Sequence, residues 1–205
     1  MKSLLSVMAV ACVALTYIDG VSADQNQQYM DTVLRQAGVY VNQLGLDPAR
    51  VPVTLDVTSG SLRAEVFNVQ INGLAGLSTK KCKLEKPELE CDIPLKNLKM
   101  VAYGRMSEGS GGLRDITIDM PVKEGELEIE VNSAKRETKI KFDDKLKFEK
   151  LRFNPVVSSN SKALGVVSKQ LEEKLATSVA EYLSKEYFNI VKNAVTHVPM
   201  PNFRR

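Results

Sequence analysis

The chain has 205 residues, with 28 lysines and arginines against 25 aspartates and glutamates, and a net charge of +3. So even a balance gives no electrostatic case for a nucleic-acid surface. The 43% of apolar residues suffices for one packed core, and the single histidine and the absence of tryptophan narrow the chemistry further.

Residues 1–23 are expected to be a signal peptide. Lys2 gives a positive start, residues 4–15 are almost wholly apolar, and Val21-Ser22-Ala23 offers small residues before Asp24. The apolar run is shorter than the roughly 20 residues that cross a bilayer and no stop-transfer pattern follows, so no transmembrane anchor is expected. Residues 24–205 fit a single domain, secreted and extracellular. Cys12 leaves with the leader, and Cys82 and Cys91 remain as an even pair in an oxidising compartment. They are expected to form one disulfide, a local staple because the loop it closes is short.

From Gln25 to Leu46, Met30, Val33, Leu34, Ala37, Val41 and Leu44 recur at helical spacing, which predicts an amphipathic helix stopped by Asp47-Pro48. Alternating segments follow. Val53 to Val57, Leu62 to Ile71, Leu77 to Leu84 and Ile93 to Met106 read as strands, and the apolar parity changes between Leu95 and Leu98, which predicts a bulge. Ile116, Ile118, Met120 and Val122, then Leu127, Ile129 and Val131, then Ile140 and Phe142 alternate with polar partners, as in antiparallel strands with one wet face. The helical period returns at Ser161, and Leu164, Val167, Leu171, Leu175, Val179, Leu183, Val191 and Val195 predict one helix on the order of 50 Å long.

About eight antiparallel strands between two amphipathic helices predict an α+β domain. A sheet with that many strands curls, and the helices are the elements available to cover its apolar face. The expected architecture is a super-rolled antiparallel sheet wrapped around an N-terminal and a long C-terminal helix, with an elongated apolar seam between them. The expected lining is Val33, Ala37, Val41, Leu98, Met100, Met106, Ile118, Met120, Ile129, Val131, Phe142, Leu171, Leu175 and Val179. The methionines Met30, Met100, Met106 and Met120 fit either an adaptable ligand lining or gap-filling core.

Asp47-Pro48-Ala49-Arg50-Val51-Pro52, then Gly60-Ser61-Leu62, then Asn68-Val69-Gln70-Ile71-Asn72-Gly73-Leu74 resemble the arthropod group 7 allergen family. That family is similar in fold to one half of the bactericidal/permeability-increasing and lipopolysaccharide-binding proteins. The resemblance implies a tubular lipid-binding fold and an apolar cargo. Arthropod juvenile-hormone carriers look similar in plan but have a cysteine pair near the mature N-terminus, where this chain has none. The Gly-x-Trp of lipocalins is also absent.

Lys80, Lys81 and Lys83 surround Cys82 near an expected hairpin tip, where they suit either an anionic headgroup or an ordinary solvated turn diluted by Glu85, Glu88, Glu90 and Asp92. For catalysis, a triad needs a nucleophile, a base and an orienting group, and a metal site needs clustered ligands. The sole histidine, His197, has no acid within several positions, so no enzyme, metal site or cofactor is expected. The sequence therefore reads as a carrier for a lipid or other elongated apolar ligand. The alternative is an innate-immune-type protein with a packed interior that recognises lipopolysaccharide or anionic lipid at its surface. No nucleic-acid partner is expected in either case.

Overall fold

The computed structural model describes residues 25–85, 87–135, 137–142, 146–156 and 161–201. The expected signal peptide, residues 1–23, lies outside the described residues. Among the described residues no helix is long and apolar enough to cross a membrane.

Helix α1 covers residues 25–43 and buries Met30, Val33, Leu34, Ala37 and Val41, the stripe its spacing predicts. It ends before Asp47-Pro48 is reached. Gly45 adopts a left-handed φ of 64°, its N–H donates to the Asn42 carbonyl at 3.1 Å, and the Leu46 N–H donates to Val41 at 2.8 Å. This pairing consumes the last helical carbonyls and turns the chain at Gly45, which leaves Leu44 exposed. Asp47 acts across the fold instead. Its carboxylate accepts the N–H groups of Gly73 at 2.8 Å and Ala75 at 3.0 Å, capping the 3-10 turn Leu74–Gly76. The first and last stretches of the allergen-like motif thus meet through one side chain. Asp31 accepts both the N–H and the hydroxyl of Thr79, at 3.0 and 2.7 Å, and ties α1 to the same connection.

Among the described residues eleven strands follow: β1 Ala49–Ser59, β2 Leu62–Asn72, β3 Lys81–Glu85, β4 Glu88–Pro94, β5 Lys99–Glu108, β6 Arg114–Asp119, β7 Val122–Glu124, β8 Glu126–Asn132, β9 Glu137–Phe142, β10 Lys147–Phe148 and β11 Arg152–Asn154. They form an antiparallel five-stranded sheet in the order β1-β2-β5-β6-β11, a four-stranded sheet β3-β4-β8-β9, and the pair β10-β7. One bent ribbon joins the two larger sheets. Its first arm is β4 and β5, its second β6, β7 and β8, and the register Val101↔Asp119 in one sheet matches Ile93↔Leu127 in the other, with stretches of equal length between them. Hydrogen bonds from Met120 N to Met100 O and from Leu95 N to Gly125 O carry the pairing across the bend.

The parity change expected as a bulge is a tight turn. The Leu98 N–H donates to the Leu95 carbonyl, and Lys96 and Asn97 sit in the turn between β4 and β5. A true bulge lies elsewhere, at Phe67. The register with β1 shifts between Pro52 and Leu55, and the register with β5 shifts between Val66 and Asn68. The buried set of β2 accordingly changes from Leu62, Ala64 and Val66 to Val69 and Ile71, and Phe67 turns outward, half exposed.

The C-terminal helix runs without interruption from Ser161 to His197, as α2 Ser161–Tyr182, a π-helical stretch Leu183–Tyr187, and α3 Phe188–His197. Val167, Leu171, Leu175, Val179, Leu183, Tyr187, Val191 and Val195 recur every four residues, and each is buried. Four residues exceed one turn of 3.6, so such a row advances about 40° round the helix at each step. The covering strands change accordingly: α2 packs on β1, β2 and β10, whereas the π stretch and α3 pack on β9. The sheet follows the winding row, and this is the curling expected of it. The Phe188 N–H reaching back to the Leu183 carbonyl marks the wide turn that slows the advance of the row before α3. Tyr40 of α1 meets His197 edge to face, with ring centroids 6.1 Å apart, so the two helices touch near the C-terminus.

Gly104, at the Phe67 bulge, makes a close backbone approach: a Cβ there would stand 2.1 Å from the Glu65 carbonyl oxygen. Gly104→Ala should cost about 1–3 kcal/mol. Gly165→Ala, in a helix with open space around the added methyl, should instead stabilise by about 0.4–1 kcal/mol. Thermal unfolding of both variants beside the parent chain checks the pair, and equal shifts in one direction would contradict the packing described.

Candidate functional site

Small residues beside the winding row border a broad concavity. Ala176, Ala180 and Ser184 run parallel to Leu175, Val179 and Leu183, one position further round the helix, and they leave space that Phe142, Leu146 and Lys147 across from them do not fill. The result is a groove of about 830 Å³ bounded by α2, the first turn of the π stretch, Phe142 at the end of β9, and Leu146 and Lys147 at β10. Such a volume falls within the roughly 300–1,000 Å³ of small-molecule sites. Phe142, Leu146, Ala176 and Ala180 give it an apolar floor. Lys147, Lys169 and Lys185 share the rim with Glu172, Glu173 and Glu181. Two of these lysines are engaged at the surface: Lys147 lies 2.6 Å from Glu124, and Lys185 lies 4.0 Å from Glu181.

The residues expected to line a seam are distributed differently. Phe142 lines this groove. Met106 lines a smaller hollow of about 420 Å³ at the β5–β6 turn, with Leu62, Ile116 and Val156. Val33, Ala37, Val41, Leu98, Met100, Ile118, Met120, Ile129, Val131, Leu171, Leu175 and Val179 are all buried in the common core. Of the α2 residues, the expected Leu171, Leu175 and Val179 face inward, and the groove takes the neighbouring positions. The signal in the sequence is the row of small residues at 176, 180 and 184, which apolar periodicity does not reveal because it follows large side chains.

Cys82 and Cys91 face each other across β3 and β4 and form the expected disulfide, with sulfurs 2.04 Å apart. Lys80, Lys81 and Lys83 are not at the hairpin tip: Lys81 and Lys83 lie in the edge strand β3, and Lys80 immediately precedes it. On the outward face of this sheet the charges fall in rows. One row reads Lys81, Asp92, Glu128, Lys141, and the next reads Lys83, Glu90, Glu130, Lys139. Lys80 lies 2.6 Å from Glu126, and Lys83 pairs with Glu85. The basic side chains therefore border an acidic centre, and their field is largely cancelled at short range.

That centre contains two carboxylates with opposite tendencies. Glu130, only 8% exposed, bonds to Lys141 and lies 3.8 Å from Lys139. The hydrogen bond from Lys141 holds its carboxyl below the usual range. Desolvation, followed by the hydrogen bond with Glu130, pushes the carboxyl of Glu128 up. Among the described residues no group of three His, Cys, Asp or Glu side chains is placed to hold a metal ion. His197 is exposed, with its Nδ1 beside the Asn193 carbonyl at 2.8 Å.

No protein-family model matches the chain, and no curated protein matches it by sequence. Among solved structures it is similar to the crystal structure of Epiphyas postvittana Takeout 1, with 15% identity and a TM-score of 0.32, covering 82% of this chain and 87% of that one. The likeness to the group 7 allergens remains one of motif and element order. What the structure itself defines is an α+β domain of antiparallel sheets packed on an N-terminal and a long C-terminal helix, with an apolar-floored groove at the join.

The two glutamates give opposite pH behaviour. Because the folded-state pKa of Glu130 is lowered, its contribution is present above the ordinary glutamate value and is lost as pH falls through the folded value. The raised pKa of Glu128 makes its contribution present at acid pH and lost as pH rises through the folded value. Glu130→Gln should therefore lower stability at neutral pH and Glu128→Gln should raise it, with the difference between the variants shrinking on acidification. Urea unfolding at pH 7 and pH 4 measures this, and a Glu128→Gln variant less stable than the parent at pH 7 would contradict the assignment.

Proposed function

We propose that the chain is a secreted binding or carrier protein for a lipid or other elongated apolar molecule, held in the groove between α2 and the β9–β10 wall. The observation that carries this reading is the groove itself, about 830 Å³ with Phe142, Leu146, Ala176 and Ala180 as its floor. Burial supplies the affinity: each methylene moved from water onto such a floor contributes about 0.8 kcal/mol, so a chain of several methylenes binds without a dense set of polar contacts. The lysines and glutamates along the rim keep the mouth hydrated and favour a ligand whose polar end stays at the surface. The disulfide and the expected leader both suit an oxidising, extracellular setting.

The alternative, recognition of lipopolysaccharide or anionic lipid by Lys80, Lys81 and Lys83, has less support, because Lys80 and Lys83 are paired with acids and Lys81 faces Asp92. Replacing all three by Glu separates the readings. Vesicle binding that disappears while apolar uptake persists would favour surface recognition.

Protein secreted from a eukaryotic host should carry a co-purifying apolar molecule in native mass spectrometry, and after extraction it should take up a fluorescent fatty acid. Ala176→Trp combined with Ala180→Trp fills the floor and should weaken that uptake by about tenfold or more, a loss of about 1.4 kcal/mol. Unchanged uptake in the filled variant would move the ligand elsewhere, and no uptake by the parent chain would end the carrier reading.

A further inference from the structure

The buried hydroxyls of Tyr187 and Thr138 have no partner among the described residues. Tyr187 is 1% exposed and its phenol oxygen makes no hydrogen bond, and Thr138 is 7% exposed with its Oγ1 likewise unbonded. Buried polar groups are ordinarily satisfied, and an unsatisfied one costs stability that an apolar side chain of the same shape avoids. Phenylalanine would fill the place of Tyr187, and valine that of Thr138.

Both residues belong to the elements that wall the groove. Tyr187 closes the π-helical stretch whose Ser184 and Lys185 line it. Thr138 lies on the same face of β9 as Ile140 and Phe142, opposite Val131, Ile129 and Leu127 of β8, and Phe142 lines the groove. The π stretch packs directly on β9. Moreover, among the described residues β9 is the edge of its sheet and pairs with β8 alone. Moving it away from the helix therefore breaks no ladder on its other side. Strand and helix thus each run from a groove-lining residue, Phe142 or Ser184, to a buried hydroxyl without a partner among the described residues.

We propose that the interior between β9 and the π-helical stretch is the deep end of the ligand site, where Tyr187 and Thr138 hydrogen-bond a neutral oxygen, a ketone, ester or alcohol, on an otherwise apolar ligand. This rests on the groove being the ligand site. Burial pushes the Tyr187 phenol pKa up, so the group stays protonated and able to donate, and the threonine hydroxyl donates or accepts. The described residues bury no lysine or arginine in the core, and a carboxylate brought there would be desolvated without a counter-charge. The chemistry selects a neutral oxygen for the interior and leaves charged heads to the rim.

The test uses the full secreted chain after lipid extraction, with a long-chain methyl ketone and the alkane of equal length as competitors of a fluorescent fatty acid. In the parent protein the ketone should compete about tenfold more strongly than the alkane. In Tyr187→Phe, and separately in Thr138→Val, that advantage should shrink severalfold while alkane binding is unchanged. Ligand-free Tyr187→Phe should unfold at the same or a higher temperature than the parent, because it removes an unsatisfied group and little volume. A ketone advantage retained in both variants, or a ligand-free Tyr187→Phe that is less stable, overturns the proposal. A parent protein that takes up the fatty acid but treats ketone and alkane alike also overturns it and leaves the groove reading standing. Failure to take up any of the three probes removes both.

Discussion

The packing of one winding row of side chains against the apolar face of the sheet organises the whole molecule. Val167, Leu171, Leu175, Val179, Leu183, Tyr187, Val191 and Val195 touch different strands as the helix proceeds, because a four-residue repeat on a 3.6-residue helix cannot keep to one side. A flat sheet would bury part of such a row and expose the rest. A sheet that bends at Leu95–Leu98 and again between β6 and β8, with the same register on both sides of the bend, covers it all. The π-helical stretch adjusts the phase where the cover passes to β9, and the small residues flanking the row open the groove.

Much of this is legible in the sequence, and the omissions have physical causes. The α+β class, the antiparallel strands, the two helices and the pairing of Cys82 with Cys91 follow from periodicity and cysteine count. Alternation also locates the parity change at Leu95 and Leu98, but parity alone does not distinguish a bulge from a turn, because both displace the apolar set by one residue. The equivalent change at Phe67 is hidden inside a strand that looks continuous. Periodicity carries helix α1 to Asp47-Pro48 because proline is the stronger visible stop, whereas Gly45 ends it through a backbone conformation available to glycine at little cost.

The candidate site is less legible than the fold for a more general reason. Period shows which face of an element is buried, and says nothing of whether the space beyond that face is filled by protein. The expected lining residues are core residues in the main, since large apolar side chains at regular spacing are what fill space. Open space remains where side chains are too small to meet the opposite wall, as at Ala176 and Ala180, and among the described residues the hydroxyls of Tyr187 and Thr138 are buried without partners. Carboxylates that look like candidates for chemistry are taken up by architecture: Asp31 and Asp47 hold α1 and the 73–79 connection together.

The charge rows on the four-stranded sheet bear on how the protein behaves among its own copies. Lysines 81 and 83 stand on one open margin, and lysines 139 and 141 stand on the other. Charged side chains on edge strands disfavour pairing with a second molecule, because a strand added there would crowd and desolvate the ammonium groups. Edge lysines of this kind are a general means by which a sheet with open margins resists edge-to-edge association.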